Sequence, residues 1–441
     1  MFANHLDALK RFLQQATVGF EITRISLDQM PDWGLQDGAL SHRSGGFFSI
    51  AGVQVGPDNC KLMLYQPQSA LTGLLTTINQ GQRFYLLQAR AEPGNCGIAQ
   101  FGPTIQSTPA NYLRLHGGKT SPYVDWFTTF KPSISVLHDS MQLDLGERYL
   151  FKSKRLLVVQ CPPDLPVVEG FIWVNANLLG QAVAESTFVN TDLRSLVNVC
   201  AWGDDDPLGL QSAEALVRAS VALPPRPEKM AQVFGQAGQG PPRYRFVPLA
   251  HLPGWHLSEM GLHETSEKQG FAVEYYAVQA QGREVQRWSQ PLINSCTEGW
   301  VALACRVYNG VLECAVRLAA ETGLQTGYAL QPTRLRYPGV SSRLPSLPGQ
   351  RLVRTTESDE GGRFYQDASV YELVMTEPAA LADEPDLIWL TVSELRAVLH
   401  RSNLCSIQLR GVVSLLLCRW GLEPNTPAHN WPTGAGAGAG R

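Results

Sequence analysis

The feature that most limits how this chain can fold is that its two halves repeat one another. Trp33 recurs 222 residues later as Trp255, and Gln66-Pro67 recurs 224 later as Gln290-Pro291. Glu92, followed by Pro103-Thr104, recurs 229 later as Glu321, followed by Pro332-Thr333. Asp144-Leu145-Gly146-Glu147-Arg148-Tyr149 returns as Asp359-Glu360-Gly361-Gly362-Arg363-Phe364-Tyr365, and Trp173 and Arg194 return as Trp389 and Arg410. Landmarks kept in one order at nearly one offset imply a duplicated unit. The Pro/Gly/Gln-rich stretch between the copies reads as a linker with little apolar content to fold on. The expected division is therefore 1–223 for the first domain, 224–243 for the linker, 244–423 for the second domain and 424–441 for a low-complexity tail.

Each copy reads as α+β, running from strands and turns into one or two helices. Leu6, Leu9, Phe12 and Leu13 share one side of a predicted helix from Asn4 to Gln15, Phe20 to Ile25 alternates as a short strand, and a helical region is expected from Trp173 to Val197. A formal charge of -3 with no long Lys or Arg run gives no footprint for nucleic acid or an anionic membrane. The nine cysteines are scattered and never two residues apart, so they read as buried thiols of a reducing compartment. The amino terminus lacks a signal-peptide layout, and the apolar run Val412 to Cys418 is too short to span a bilayer. A cytoplasmic protein is expected.

The copies are unequal between Gln88 and His116. Phe84 to Ala89 reads as a buried strand and Pro93-Gly94-Asn95 as a turn, so Glu92 falls at a strand end facing a loop. Thr104, Gln106, Ser107, Thr108, Asn111, Tyr112 and His116 follow closely, the residue types that bind a small polar ligand. In the second copy Glu-Pro-Gly-Asn has become Glu321-Thr322-Gly323-Leu324, and Thr104 to Thr108 has become Thr333-Arg334-Leu335-Arg336-Tyr337. The expectation is one working site in the first copy. Trp288-Ser289-Gln290-Pro291 and Gly361 to Tyr365, kept in the second, look like scaffold.

These residues resemble the NDP-hexose 2,3-dehydratases of deoxysugar biosynthesis. The matching motifs are His42 with Gly45-Gly46-Phe47-Phe48, Gln66-Pro67, Glu92 to Asn95, Pro103 to Thr108, Asn111-Tyr112, His116 and Gly361 to Tyr365. The resemblance covers nearly the whole chain and implies two tandem Nudix-like domains, a homodimer, and a first-domain site for a thymidine-diphosphate 4-keto-6-deoxyhexose. Two departures stand out. Leu64 replaces the tryptophan usual before Gln-Pro, and Lys152-Ser153-Lys154-Arg155-Leu156 lacks the family's asparagines.

In a 4-keto sugar the C3 hydrogen is acidic and the C2 hydroxyl is a β leaving group, so the elimination needs no cofactor and no metal. It needs a base at C3, a donor to the C4 oxygen and an acid for the hydroxide. His42, Glu92 and His116 are the acid/base candidates, with Tyr112, Thr104 or Lys152 as the oxyanion donor. Gln106, Thr108, Asn95, Asn111 and Gln66 suit hydrogen bonds to the sugar, and Lys119, Lys152, Lys154 and Arg155 suit the diphosphate. One alternative is a non-catalytic or altered-specificity nucleotide-sugar-binding protein. The other is a metal-dependent hydrolase, for which the chain has no Glu-Glu pair and no acidic helix.

Overall fold

The computed structural model describes residues 2–57, 59–114, 119–129, 134–200, 215–236, 243–266, 270–281, 285–342 and 344–418. Alternating and continuous apolar runs build four sheets, one large and one small for each repeat. In the large sheet of the first repeat, Ala70–Asn79 lies between Gln82–Ala91, antiparallel, and Ser153–Gln160, parallel. In that of the second, Gly299–Tyr308 lies between Val311–Ala320, antiparallel, and Ala368–Met375, parallel. The small sheets are meanders, Trp33–Gln36, Ala39–His42, Ser49–Val55 and Asn59–Tyr65 in one, Trp255–Ser258, Gly261–Glu264, Phe271–Gln279 and Arg287–Ser295 in the other.

Each repeat lends a strand to the other. Glu21–Ile25, expected as a local strand, pairs antiparallel with Tyr275 to Gln279 of the second repeat. Tyr244–Val247 pairs antiparallel with Gly52 to Val55 of the first. The turns after the two glutamates interlock in the same reciprocal way. Gly94 N donates to Gly361 O at 2.9 Å, and Gly323 N donates to Gly146 O at 2.8 Å. Both positions demand glycine, since a Cβ on Gly94 would stand 1.9 Å from Glu360 O and one on Gly323 would stand 1.8 Å from Tyr149 O.

The helices Thr191–Val197 and Ile407–Cys418 are buried throughout and cross the same boundary. Leu193 and Leu196 share one apolar cluster with Leu409, Val412 and Val413, so the repeats have a common core. Arg410 Nε donates to Ser195 Oγ at 3.1 Å, and Asn198 Nδ2 donates to Arg410 O. Arg194 Nη2 lies 2.7 Å from Glu357, both 2% exposed. Removing one member of so deeply buried a pair costs about 3–5 kcal/mol.

The structure differs from the sequence reading at three places. Trp173 lies on the strand Phe171–Asn175, ahead of the helices Ala176–Ala184 and Thr191–Val197. Part of the expected linker is the helix Pro227–Gln236, whose Met230 and Val233 are buried at helical spacing. The tail from 424 lies outside the described residues. Third, Leu64 N donates to Arg148 O and Ile293 N donates to Arg363 O, which sets Leu64 against Ile293, 229 residues on. Gln66-Pro67 and Gln290-Pro291 are 224 apart, so the first pair falls just past the strand Asn59–Tyr65 and the second inside Arg287–Ser295.

Because each repeat completes the other's small sheet, residues 1–223 or 244–441 produced alone are expected to be soluble only as non-cooperative, dye-binding species. Co-production should restore a complex with a sharp melt by circular dichroism. A cooperative transition from either half alone would contradict the shared core.

Candidate active site

The strand Gln82–Ala91 ends at Glu92, where Pro93-Gly94 turns the chain, so the carboxylate is delivered to the sheet's end as the sequence suggests. Arg90 precedes it by two residues and, by strand alternation, shares its face. Arg90 Nη2 donates to Glu92 Oε1 at 2.8 Å and Nε donates to the same oxygen at 3.2 Å. The pair is nearly buried, and Glu92 Oε2 packs against Gly361 of the other repeat, where a Cβ would come within 2.3 Å.

Glu92 forms part of a cleft of about 490 Å³ whose walls come from both repeats. The first repeat contributes Lys152 and Lys154 at the start of Ser153–Gln160. Lys152 Nζ is 3.3 Å from Asp144 Oδ2 and 3.8 Å above the Tyr149 ring. Burial draws its pKa below the ordinary lysine value, against the pull of Asp144 and Glu360. Lys154 is 3.2 Å from Asp144 and 2.6 Å from Asp192. Burial lowers its pKa, but the two aspartates outweigh burial and hold it above normal. For Asp144 burial likewise loses to the two lysines, which keep its carboxyl far below the usual range.

His42, at the end of Ala39–His42, forms the rim. Its ring stands edge-on to Phe47 at 4.5 Å and Trp33 at 5.4 Å, and Nδ1 accepts from Ser44 N at 3.2 Å. Burial lowers its pKa below 6.5, with Asp32 opposing, so the neutral ring dominates at pH 7. Gln106, Thr108 and Asn111 complete this side. Gln106 Oε1 accepts from Asn190 Nδ2 at 2.9 Å, and Thr108 Oγ1 is buried without a hydrogen-bond partner among the described residues.

The opposite wall belongs to the second repeat: Arg287, Trp288, Ser289 and Gln290 on one strand, and Glu360, Gly362 and Arg363 on the interlocked turn. Trp33 Nε1 donates to Ser289 O at 2.8 Å across the boundary. Gln290 Nε2 donates to Gly362 O at 2.8 Å, and Glu360 Oε2 accepts from Gly362 N at 3.0 Å. The groups expected to be scaffold thus line the cleft. Their survival in a copy that has lost its other polar residues was the signal, but reading each copy as a separate binding unit hid it.

Other expected residues lie elsewhere. Thr104 Oγ1 donates to Leu86 O at 2.6 Å and accepts from Leu75 N at 2.9 Å. Thr333 makes the same two bonds to Ala315 and Ala304, which identifies a strand clamp kept in both repeats. Asn95 is buried, donating Nδ2 to Arg90 O at 3.0 Å, so it shapes the turn. Gln66 is buried away from the cleft, Tyr112 packs on the apolar cluster around Phe127, and Lys119 is exposed outside the lining. Arg155 points to the other face of its strand, in an ion pair with half-exposed Asp139 at 2.5 Å. His116 lies outside the described residues.

The equivalent region of the second repeat is filled by its own side chains. Tyr337, in the position of Thr108, donates its hydroxyl to Glu321 Oε1 at 2.9 Å, and Gln331 donates to the same oxygen. Burial, with Glu147 nearby, raises the Glu321 pKa to about 8. Asp367 and Ser369 stand where the first repeat has Lys152 and Lys154. Burial, together with Asp367, raises Asp359 to about 7. Among the described residues no group of three His, Cys, Asp or Glu side chains is placed to hold a metal ion.

A family model described as NDP-hexose 2,3-dehydratase matches residues 7–200 and again 236–416, once for each repeat. Three curated relatives are each named dTDP-4-dehydro-6-deoxy-alpha-D-glucopyranose 2,3-dehydratase. The one from Streptomyces violaceoruber is 31% identical over 90% of this chain and 93% of its own length. That from Saccharopolyspora spinosa is 29% identical over 91% and 89%, and that from Amycolatopsis orientalis 28% identical over 90% and 86%.

The pKa of Glu321 gives a pH test. Its folded value of about 8 exceeds the 4.5 of the unfolded chain, so its contribution to stability is complete below pH 4.5 and is lost as pH rises toward 8. The slope is about 1.4 kcal/mol per pH unit. Glu321→Gln should flatten this part of a stability profile measured by chemical denaturation between pH 5 and 8, and should gain on the parent at the upper end. Parallel profiles would show that Glu321 is ionised throughout.

Proposed function

This chain belongs to the NDP-hexose 2,3-dehydratase family and is a carbon–oxygen lyase, and from that premise we propose how its cleft removes the C2 hydroxyl of a thymidine-diphosphate 4-keto-6-deoxyhexose. The observation that carries the reading is the meeting of Glu92, Lys152 and His42 in one cleft. Of the three oxyanion-donor candidates, Lys152 lines the cleft and Tyr112 and Thr104 do not.

Glu92, ion-paired with Arg90, takes the C3 proton, and the electron pair moves onto the C4 oxygen. Lys152 donates a hydrogen bond to that oxygen as charge develops, and its burial strengthens the interaction. The enolate then re-forms the C4 carbonyl, making a C2–C3 double bond and expelling hydroxide from C2, which leaves as water with the proton held by Glu92. The product of this step is an enol bearing O3. His42, neutral near pH 7, accepts the O3 proton while a solvent water delivers a proton to C2, and the hydroxide so formed takes the proton from His42, which gives the 3,4-diketo-2,6-dideoxy sugar and restores the neutral ring. Gln106, Thr108 and Asn111 hydrogen-bond the sugar hydroxyls. The Nudix-like ancestry of each repeat and the homodimer belong to this proposal and rest on the family resemblance; the domain boundary at 224–243 rests on the composition between the repeats, and a cytoplasmic location on the scattered cysteines.

The test is incubation of the EDTA-treated protein with thymidine-diphosphate-4-keto-6-deoxyglucose in deuterium oxide, followed by NMR and mass spectrometry. Loss of one water is expected. Glu92→Gln should cut turnover by about 10²- to 10⁴-fold and abolish C3 exchange. Lys152→Met should lower kcat more than it raises KM. Full turnover by Glu92→Gln would remove Glu92 as the base, and binding by the parent protein with neither exchange nor water loss would mark a sugar-nucleotide sensor.

A further inference from the structure

Most charges lining the cleft are already matched within the first repeat. Arg90 holds Glu92, Lys152 faces Asp144, and Lys154 lies between Asp144 and Asp192. Arg363, on the second-repeat wall, is placed differently. Its guanidinium stacks 4.7 Å over the Phe48 ring, Nη1 donates to Gly362 O at 3.2 Å, and Nε is buried with no hydrogen-bond partner among the described residues. Among the described residues it forms no ion pair. The turn that carries it is fixed by Glu360 and Gln290, so the cation is oriented in advance.

The filled counterpart shows the use of such a group. Arg148 repeats Arg363 at the same point of the duplicated turn and stacks 4.0 Å over Phe271, the repeat of Phe48. There Nη2 donates to the carbonyl oxygen of Pro338, next to the Tyr337 that fills the region. A backbone oxygen of the chain itself occupies the acceptor position that the open cleft leaves to a ligand.

We propose that Arg363, supplied by the second repeat, binds the diphosphate of the nucleotide sugar, so that the nucleotide lies along Arg287 and Trp288 and the sugar lies against Glu92 and Lys152 of the first. A planar guanidinium held on an aromatic face suits two phosphate oxygens better than an ammonium does. This assignment rests on the nucleotide-sugar reading above, and it replaces Lys119, Lys154 and Arg155 as the diphosphate ligands.

The test is calorimetric titration of the full chain with thymidine diphosphate, inorganic pyrophosphate and thymidine. Arg363→Ala should weaken thymidine diphosphate and pyrophosphate by about 10- to 100-fold, as expected for loss of a charge-assisted contact, and leave thymidine unchanged. Arg155→Ala, outside the cleft, should bind as the parent does. Arg363→Lys keeps the charge and guards against misfolding of the alanine variant; it should recover only part of the affinity. Parent-like diphosphate affinity in a folded Arg363→Ala or in Arg363→Lys overturns the proposal. Arg363-dependent binding by a parent protein that fails to dehydrate would sink the dehydratase reading alone.

Discussion

The structure depends on a reciprocal contact: each repeat inserts a glycine turn into the other, and each lends the other a strand. Backbone N–H groups of Gly94 and Gly323 find their acceptors only across the boundary, and a buried backbone donor left unpaired is costly. The approach is close enough to exclude any side chain at either glycine. Once these turns engage, Glu360 and Arg363 must lie beside Glu92, and the strand carrying Trp288 must face His42. The cleft is therefore a consequence of the interlock rather than a property of either repeat.

Within this near-symmetric frame the buried charges have diverged. The first repeat holds an alternating set, Lys152, Asp144, Lys154 and Asp192, in which every charge touches an opposite one. The second has Asp359 and Asp367 close together, both raised by burial, and no lysine to ionise them. The same backbone thus gives an ionic pocket wall on one side and a pair of carboxyls with raised pKa values on the other. Arg194 and Arg410, related by the duplication, remain inside both repeats because their carbonyl, hydroxyl and carboxylate partners come from both.

Much of this was legible in the sequence. The duplication, the strand ending at Glu92 and the loss of polar residues from the second copy follow from spacing and residue type. Partner choice between repeats did not, because hydrogen bonding by an edge strand carries no sequence label: Glu21 to Ile25 reads the same whichever sheet it joins. Shared motifs also misled where register differed, so that of Gln66 and Gln290, alike in sequence, one follows its strand and the other lies within one. Strand alternation would have separated Lys152 and Lys154 from Arg155, which faces Asp139 on the outside. Met230 and Val233 were obscured by the Pro and Gly around them, although their spacing is that of a helix.

The exchange of strands has a consequence for the history of the chain. A single repeat of this topology has its partner strand and half its core elsewhere, so an unduplicated ancestor needed a second identical copy, arranged about a twofold axis. Such a pair carries two equal clefts, and any substitution strikes both together. Joining the copies in one gene removed that constraint. Tyr337 could then close one cleft while Thr108 kept the other open, and the second repeat, its own cleft filled, still supplies Trp288 and Arg363 to the wall of the open one.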